Sequence, residues 1–389
     1  MKAKNILKAA IFLSVICTTM LTSYIIGNAA NELAYWCDDG NHYNVKIKDI
    51  YYDFILKDEI NDLNKINYNV TAVYPNKKTK TLKIPAKVKF NNKKYKVNGI
   101  SFFAYDYNLP FETIYLPSYA TIFQADSARI KKLKKLYVPK TVEKIELSNM
   151  PKLKIIIDKE NPYIKMKNGA VYSKDGKVMY TLINNKKIYK ISNGTETISF
   201  NNELDDTVEK IILPSSAEKI SENGFSACVK LKSIKLNNKL KEIGYGAFFK
   251  CKSLKRIVIP KNVDKIQPYT FSNCTKLSKV NIKSKIKSFV IQDKAFKNCK
   301  NLNEIKISNV SKIEKRAFKG CKKLLVVRLN MEKESPIIED TAFKNTKDEI
   351  KFYVKNQTVA DQLNEQLKGS GVRNAKILIG KKVVYKNVK

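Results

Sequence analysis

The chain has 389 residues, 43% of them hydrophobic, with 74 Lys and Arg against 36 Asp and Glu and a formal net charge of +38. That much apolar content supports a sizeable core and excludes a disordered polycation. A single histidine, His42, removes most histidine-based chemistry, namely clustered histidine zinc ligands, an HExxH site and histidine-based triads, so composition leaves room for a large basic protein that works by binding.

Lys2, Lys4 and Lys8 precede an almost wholly apolar run, Ala9–Ile26, and small residues follow at Gly27-Asn28-Ala29. This is the layout of a secretory signal peptide over residues 1–29, cut near Ala29. The run is also just long enough to anchor the chain in a bilayer, although Thr18, Thr19, Thr22 and Ser23 weaken that alternative. Either way the protein is expected to be secreted or at the cell surface, with no membrane span left after cleavage. Residues 30–62 then carry eight acids against three lysines, and the positive excess lies beyond them. Two readings of that acidic segment stand side by side: a solvated N-terminal stretch, or one folded back on the basic body.

An internal repeat organises the rest. Counting Ile243 as zero, Phe248 falls at +5, Cys251 at +8, Leu254 at +11, Ile257 at +14 and Ile259 at +16, with Pro260 next. The same template fits from Ile220 (Phe225, Cys228, Leu231, Ile234), Ile266 (Phe271, Cys274, Leu277, Val280), Ile291 (Phe296, Cys299, Leu302, Ile305) and Ile313 (Phe318, Cys321, Leu324, Val327). Weaker copies start at Ile100, Ile122, Ile145, Ile198 and Ile338. Successive starts lie 22–25 residues apart, except for one interval of 53 between Ile145 and Ile198.

Leu-x-x-Ile-x-Ile ends in the period-two pattern of a strand with alternate residues inward. One coil cannot bury its apolar positions alone, but stacked coils bury a continuous core. About ten coils spaced like neighbouring strands, about 4.8 Å apart, would make a solenoid roughly 45–50 Å long. The long interval reads as an insertion over about 158–197, a small meander with a tight turn at Asp175-Gly176 and a second turn offered by Asn184-Asn185.

The pattern Ile-x4-Phe-x2-Cys-x2-Leu-x2-Ile-x-Ile-Pro resembles the leucine-rich repeat of BspA-like, or treponemal-type, bacterial surface proteins, over about residues 65–380. Lys83–Lys89 and Tyr95–Ile100 resemble the β-rich segment that starts such arrays, and Asn161-Pro-Tyr163 with Asn168–Tyr172 and Lys174–Lys177 resembles their inserted hairpin. The expected fold is a β-rich leucine-rich-repeat solenoid with a β N-terminal cap (63–99), a repeat body (100–345) holding the hairpin meander, and an α/β C-terminal cap (346–389). In that cap Thr358-x-x-Asp361 resembles a capping box opening a helix to about Lys368, ended by Gly369, with Val372–Tyr385 strand-like.

Seven cysteines in an exported chain invite disulfides. Five of them, Cys228, Cys251, Cys274, Cys299 and Cys321, occupy +8, where other coils place Asn108, Ile130 and Thr346, so buried free thiols compete with bridges between coils and with a metal. Cys37 has no obvious partner, and Cys17 lacks the small preceding residue of a lipoprotein cysteine. His42 reads as a surface residue, and Asp38-Asp39 lacks the ligand alternation of an EF-hand loop. No cofactor, metal or catalytic residue is expected.

Solenoids commonly bind along the strand face. Its outward columns propose Tyr115, Tyr137, Lys235, Arg256, Val258, Lys279, Lys306 and Arg328 as partner-binding positions, since Tyr and Arg are frequent anchors. Ordinary strand propensity explains any one of them equally well. What the resemblance implies is adhesion through an extracellular protein or glycan. The alternative is an envelope protein held by its charge on anionic polymers such as teichoic acid or a glycosaminoglycan. No module for dedicated nucleic-acid recognition is visible.

Overall fold

The computed structural model describes residues 34–36, 42–47, 50–56, 68–75, 79–90, 93–101, 109–125, 130–147, 150, 152–183, 186–199 and 207–388. The leader with Cys17, and Cys37, Asp38 and Asp39, lie outside the described residues. The chain is a β-solenoid of about eleven coils. It divides into two compact units, residues 1–147 with 152–165 and residues 148–151 with 166–389.

In the first unit, strands Ala34–Trp36, His42–Ile47, Ile50–Leu56 and Tyr68–Pro75 form an antiparallel meander. Parallel strands Lys93–Ser101, Ile122–Ala125 and Lys144–Leu147 extend that sheet. A second, all-parallel sheet joins Thr81–Lys83, Thr113–Tyr115, Lys135–Val138 and Lys154–Ile157. The acidic segment thus contributes backbone to the meander, through residues 34–36, 42–47 and 50–56.

In the second unit every coil carries a short edge strand at the repeat origin and a face strand at its Ile-x-Ile end. Face strands Ile188–Lys190, Lys210–Ile212 and Ser233–Lys235 pair in parallel. So do Arg256–Ile259, Lys279–Ile282, Glu304–Ser308, Val326–Asn330, Glu349–Val354 and Asn374–Ile379, with Lys382–Val388 closing the sheet antiparallel. Ile257, Val280, Ile305, Val327 and Phe352 are in register and buried, as the alternating pattern requires.

Between the strands the chain runs through a segment whose backbone is shared by two coils. In the five coils starting at Ile220, Ile243, Ile266, Ile291 and Ile313, the N–H groups at +5 and +7 donate to carbonyls of the next coil; Phe248 to Thr270 at 2.8 Å and Lys250 to Ser272 at 2.9 Å are examples. The N–H groups at +4, +6 and +8 donate back three residues, as Ala247 does to Gly244 and Cys251 to Phe248. Alternating the two directions forces a left-handed residue at two places per coil. At +3 these are Asn223, Gly246, Tyr269, Lys294, Arg316 and Thr341; at +7 they are Ala227, Lys250, Asn273, Asn298, Gly320 and Asn345.

The phenylalanines at +5 stack along the unit. Phe225, Phe248, Phe271, Phe296, Phe318 and Phe343 are fully buried, with successive ring centroids 5.1–5.4 Å apart. Phe352 of the C-terminal region meets Phe343 edge-on at 5.6 Å and ends the stack.

The five +8 cysteines are free and fully buried. The thiols of Cys251, Cys274, Cys299 and Cys321 each donate to the +5 phenylalanine carbonyl of the preceding coil, at 3.0–3.1 Å. Thr346 at the same position donates its hydroxyl to Phe343 carbonyl at 2.8 Å. Burial pushes the thiols of Cys251, Cys274 and Cys299 well above the ordinary range, so they stay protonated donors.

Two features differ from the sequence reading. Strand Val178–Leu182 does form the expected hairpin with Ala170–Ser173, with Gly176 in the left-handed region at the turn. It also pairs in parallel with Thr197–Ile198, while Ile188–Lys190 lies in the face sheet beside Lys210–Ile212. The second half of the insertion therefore pairs as a coil of the solenoid, while the turn read at Asn184-Asn185 lies outside the described residues. In the C-terminal cap the helix spans Gln357–Gln366 and its N-cap is Asn356, whose Oδ1 accepts from Val359 N at 3.0 Å; Thr358 is already inside the helix. Gly369 follows it with φ +76°. Val359, Ala360 and Leu363 bury its inner face, and the chain finishes in two strands rather than one.

Removing one ring of the stack leaves a cavity between two others. Phe271→Ala is expected to cost about 3–5 kcal/mol in urea unfolding. The five repeat thiols, Cys228, Cys251, Cys274, Cys299 and Cys321, should also resist an aromatic disulfide in the native protein and all react with it once the chain is unfolded.

Candidate functional site

The outward positions of the face strands form two registered columns. In the second unit one runs Ile188, Lys210, Ser233 on three strands and Arg256, Lys279, Glu304, Val326, Lys351 on the next five. The other runs Lys190, Ile212, Lys235, then Val258, Asn281, Lys306, Arg328, Tyr353. Strand Ser233–Lys235 lies against Arg256–Ile259, and the repeat puts Ser233 and Arg256 at +13 and Lys235 and Val258 at +15 of their coils, so the two sets follow one another. The six positions proposed here from sequence, Lys235, Arg256, Val258, Lys279, Lys306 and Arg328, all fall in these columns. Tyr115 and Tyr137 belong to the first unit, on adjacent strands of its parallel sheet.

The face changes character along its length. Toward its C-terminal end Glu304 accepts from Arg328 Nε at 2.9 Å and sits 3.3 Å from Lys279 Nζ. The Arg328 guanidinium lies 4.2 Å from the centre of the Tyr353 ring. One carboxylate here serves two cations, and the hydrogen bond from Arg328 holds the Glu304 carboxyl below its usual range. Toward the other end, Lys190, Lys210, Lys235 and Arg256 are exposed and none makes an ion pair among the described residues. Between them stand aliphatic side chains unusually open to solvent: Ile188 at 56%, Ile212 at 37% and Val258 at 47%.

A cavity of about 450 Å³ opens beside Ile188 and Lys190, lined also by Lys167, Asn168, Lys186 and Ser192, with no acidic residue in its wall. Beneath it the buried Tyr172 and Tyr189 hydroxyls meet at 3.2 Å, and Ser192 N donates to Tyr172. Burial, followed by that contact, drives the Tyr189 phenol upward and keeps it neutral.

In the first unit the Tyr115 and Tyr137 rings stack with centroids 4.2 Å apart and planes within 4°. Lys83 Nζ lies 5.2 Å from the Tyr115 ring centre. A hydrogen bond with Tyr137 raises the Tyr115 phenol.

Four face residues escape the sequence reading. Ile188 and Lys190 sit in the insertion, where the repeat template is lost, and Lys351 and Tyr353 fall at +13 and +15 of the weak last copy, whose template matches stop at Thr346. Their only sequence signals are Ile188-Tyr-Lys190 and Phe352 spaced as an inward–outward pair. Among the described residues no cluster of His, Cys, Asp and Glu could hold a metal ion, and no helix is long and apolar enough to cross a membrane.

Residues 196–325 and 290–360 match the family described as BspA type leucine rich repeat region, in six copies. This stretch is a BspA-type leucine-rich-repeat array. Solved structures similar to the chain include the pneumococcal vaccine antigen PcpA, 18% identical, covering 87% of this chain and 99% of its own, TM-score 0.41. A leucine-rich repeat protein of Eubacterium ventriosum is 17% identical, covering 91% and 93%, TM-score 0.44. A leucine rich cell surface protein of Faecalibacterium prausnitzii is 16% identical, covering 85% and 94%, TM-score 0.33. No curated protein sequence matches the chain.

The Glu–Lys and Glu–Arg contacts across coils set the acid response. Hydrogen bonds from Lys134, Lys232, Arg328, Lys312 and Lys376 lower the carboxyls of Glu112, Glu209, Glu304, Glu339 and Glu349 respectively. A carboxylate depressed in the folded state stabilises above its unfolded pKa and loses that contribution as pH falls through the folded value. The melting temperature is therefore expected to drop as pH falls from about 5 toward 2. Glu304→Gln should flatten that dependence and, by releasing Arg328 and Lys279, should raise affinity for a polyanion.

Proposed function

We propose that the protein is a non-enzymatic binding protein acting at or outside a bacterial cell surface, where its strand face holds an extracellular protein or glycan. The observation that carries this is the exposed aliphatic set Ile188, Ile212 and Val258 lying among unpaired cations on one registered face. Open aliphatic groups on a sheet face give up solvent only to a partner, and cations beside them supply orientation and encounter rate. The BspA-type array and the secretory leader read at residues 1–29 support an extracellular setting.

A second reading is favoured by charge alone. At +38 the protein would adhere to any anionic wall polymer, with no particular partner.

The two separate by salt, because screening weakens charge attraction but spares buried fit. Binding of the chain from residue 30 onward would be measured on immobilised matrix proteins, glycosaminoglycans and wall polymers at about 0.15 and 0.5 M salt. Saturable binding to one partner that survives high salt, and that weakens at least about tenfold on Arg256→Ala or Val258→Ala, is the expected result. Binding to every polyanion that vanishes at high salt would replace this reading with the second.

A further inference from the structure

Four consecutive face strands share a pattern that neither the core nor net charge explains. Each offers one outward cation, and the cation changes column at every step: Lys190, then Lys210 in the opposite column, then Lys235, then Arg256. The other outward position on the same strands holds Ile188, Ile212, Ser233 and Val258. Side chains two apart share a face, so this is a checkerboard of charge and aliphatic surface, one cation per strand. All four cations are exposed and without an ion pair among the described residues, although acids elsewhere regularly pair across coils.

We propose that this checkerboard binds a linear polysaccharide carrying one carboxylate per sugar, a polyuronate laid across the strands. The proposal rests on the face being a binding surface, as argued above, and names its partner. Strands repeat about every 4.8 Å, close to the length that one pyranose adds to an extended β-1,4-linked chain. In such a chain successive rings turn over, so carboxylates project alternately to either side while the C–H faces of the rings remain apolar. Carboxylates then meet the alternating cations, and ring faces meet Ile188, Ile212 and Val258. Three of the four cations are lysines, compact point charges suited to single carboxylates rather than the forked recognition of phosphate by arginine.

Competing polyanions fit less well. A duplex strand places a phosphate about every 3.4 Å of axis and falls out of step within a few strands. Single-stranded nucleic acid is held by base stacking on aromatic side chains, and these four strands present none outward. The cavity with Lys167 and Ser192, opening beside Ile188 and Lys190, continues the cationic track and receives the end of the chain.

The test is a charge-conserving exchange. In the full chain, Lys210→Ile with Ile212→Lys, and Arg256→Val with Val258→Arg, keep composition and net charge but put all four cations in one column. β-1,4-linked mannuronate oligomers of increasing length and inorganic polyphosphate serve as probes, by calorimetry at fixed salt. The wild type should bind the mannuronates more tightly with each added sugar until the oligomer spans the checkerboard. The exchange should cost about tenfold or more on the mannuronates and leave polyphosphate unchanged. Should the exchanged chain fail to fold, Ile212→Ser with Val258→Ser is measured instead, with the same loss expected on mannuronate alone.

Equal affinity of wild type and exchanged chain for mannuronate would overturn the proposal, as would equal losses on both probes. An exchange that weakens a bound matrix protein but not mannuronate would sink the polyuronate while keeping the binding face. One that changes no ligand at all would sink the face as well.

Discussion

The structure depends on how the backbone of the segment between edge strand and face strand finds its hydrogen-bond partners. A coil of 22–25 residues cannot satisfy that segment internally. Half of its N–H groups turn back within the coil and the others reach the next one, so a coil is complete only when stacked. Tyr269, Lys294, Arg316 and Thr341 consequently occupy the left-handed region, at about 1–3 kcal/mol each, and keep it because neighbouring coils over-determine them. The aromatic stack and the thiol-to-carbonyl bonds inherit this register: once the +5 backbone is fixed to the next coil, Phe rings lie one above another and each +8 side chain faces a carbonyl.

The same register governs charge. Positions one coil apart become neighbours, and Glu209–Lys232, Glu218–Lys241, Glu242–Lys219, Glu304–Lys279, Glu339–Lys312 and Glu349–Lys376 all follow from it. Exposed pairs of this kind are individually weak. Their larger effect is to distribute the few acids of a strongly cationic chain along the array. The N-terminal part of the second unit's face has none at its outward positions, so the potential there is set by Lys190, Lys210, Lys235 and Arg256 without a counterweight.

The repeating interior was legible in the sequence because it must match itself. Phe225 to Phe318 and Cys228 to Cys321 recur since each meets its own kind in the next coil, and the period of the array is the period of that contact. Where a segment meets something else the template fails. Ile188–Lys190 joins the face sheet although the preceding strand belongs to a hairpin, and no spacing rule carries the repeat across that change. Asn356 caps the C-terminal helix in place of the Thr358-x-x-Asp361 signal because a loop asparagine needs only local geometry to reach Val359 N. The cysteines show a subtler gap. Reading +8 as a small packing site accounts for Ile130 and the size of Cys, but not for the thiol donor, whose acceptor is the phenylalanine carbonyl of the preceding coil and appears only when the coils are stacked; Thr346 instead bonds within its own coil, to Phe343.

Inward positions are constrained twice, by their own coil and by its neighbours, and so carry little that is particular to this protein. Outward positions on the face strands carry neither constraint. Strand propensity would tolerate any β-branched or polar residue there, and solubility would be served by lysine in both columns. The checkerboard from Ile188 to Val258 does neither: it leaves three aliphatic groups open to water, at the cost of their solvation, and places a cation diagonally from the next one at each step. In a one-dimensional array whose interior is dictated by stacking, such a departure at unconstrained positions is where the identity of a ligand can be written. A ligand that reads it must itself repeat once per strand and alternate from side to side.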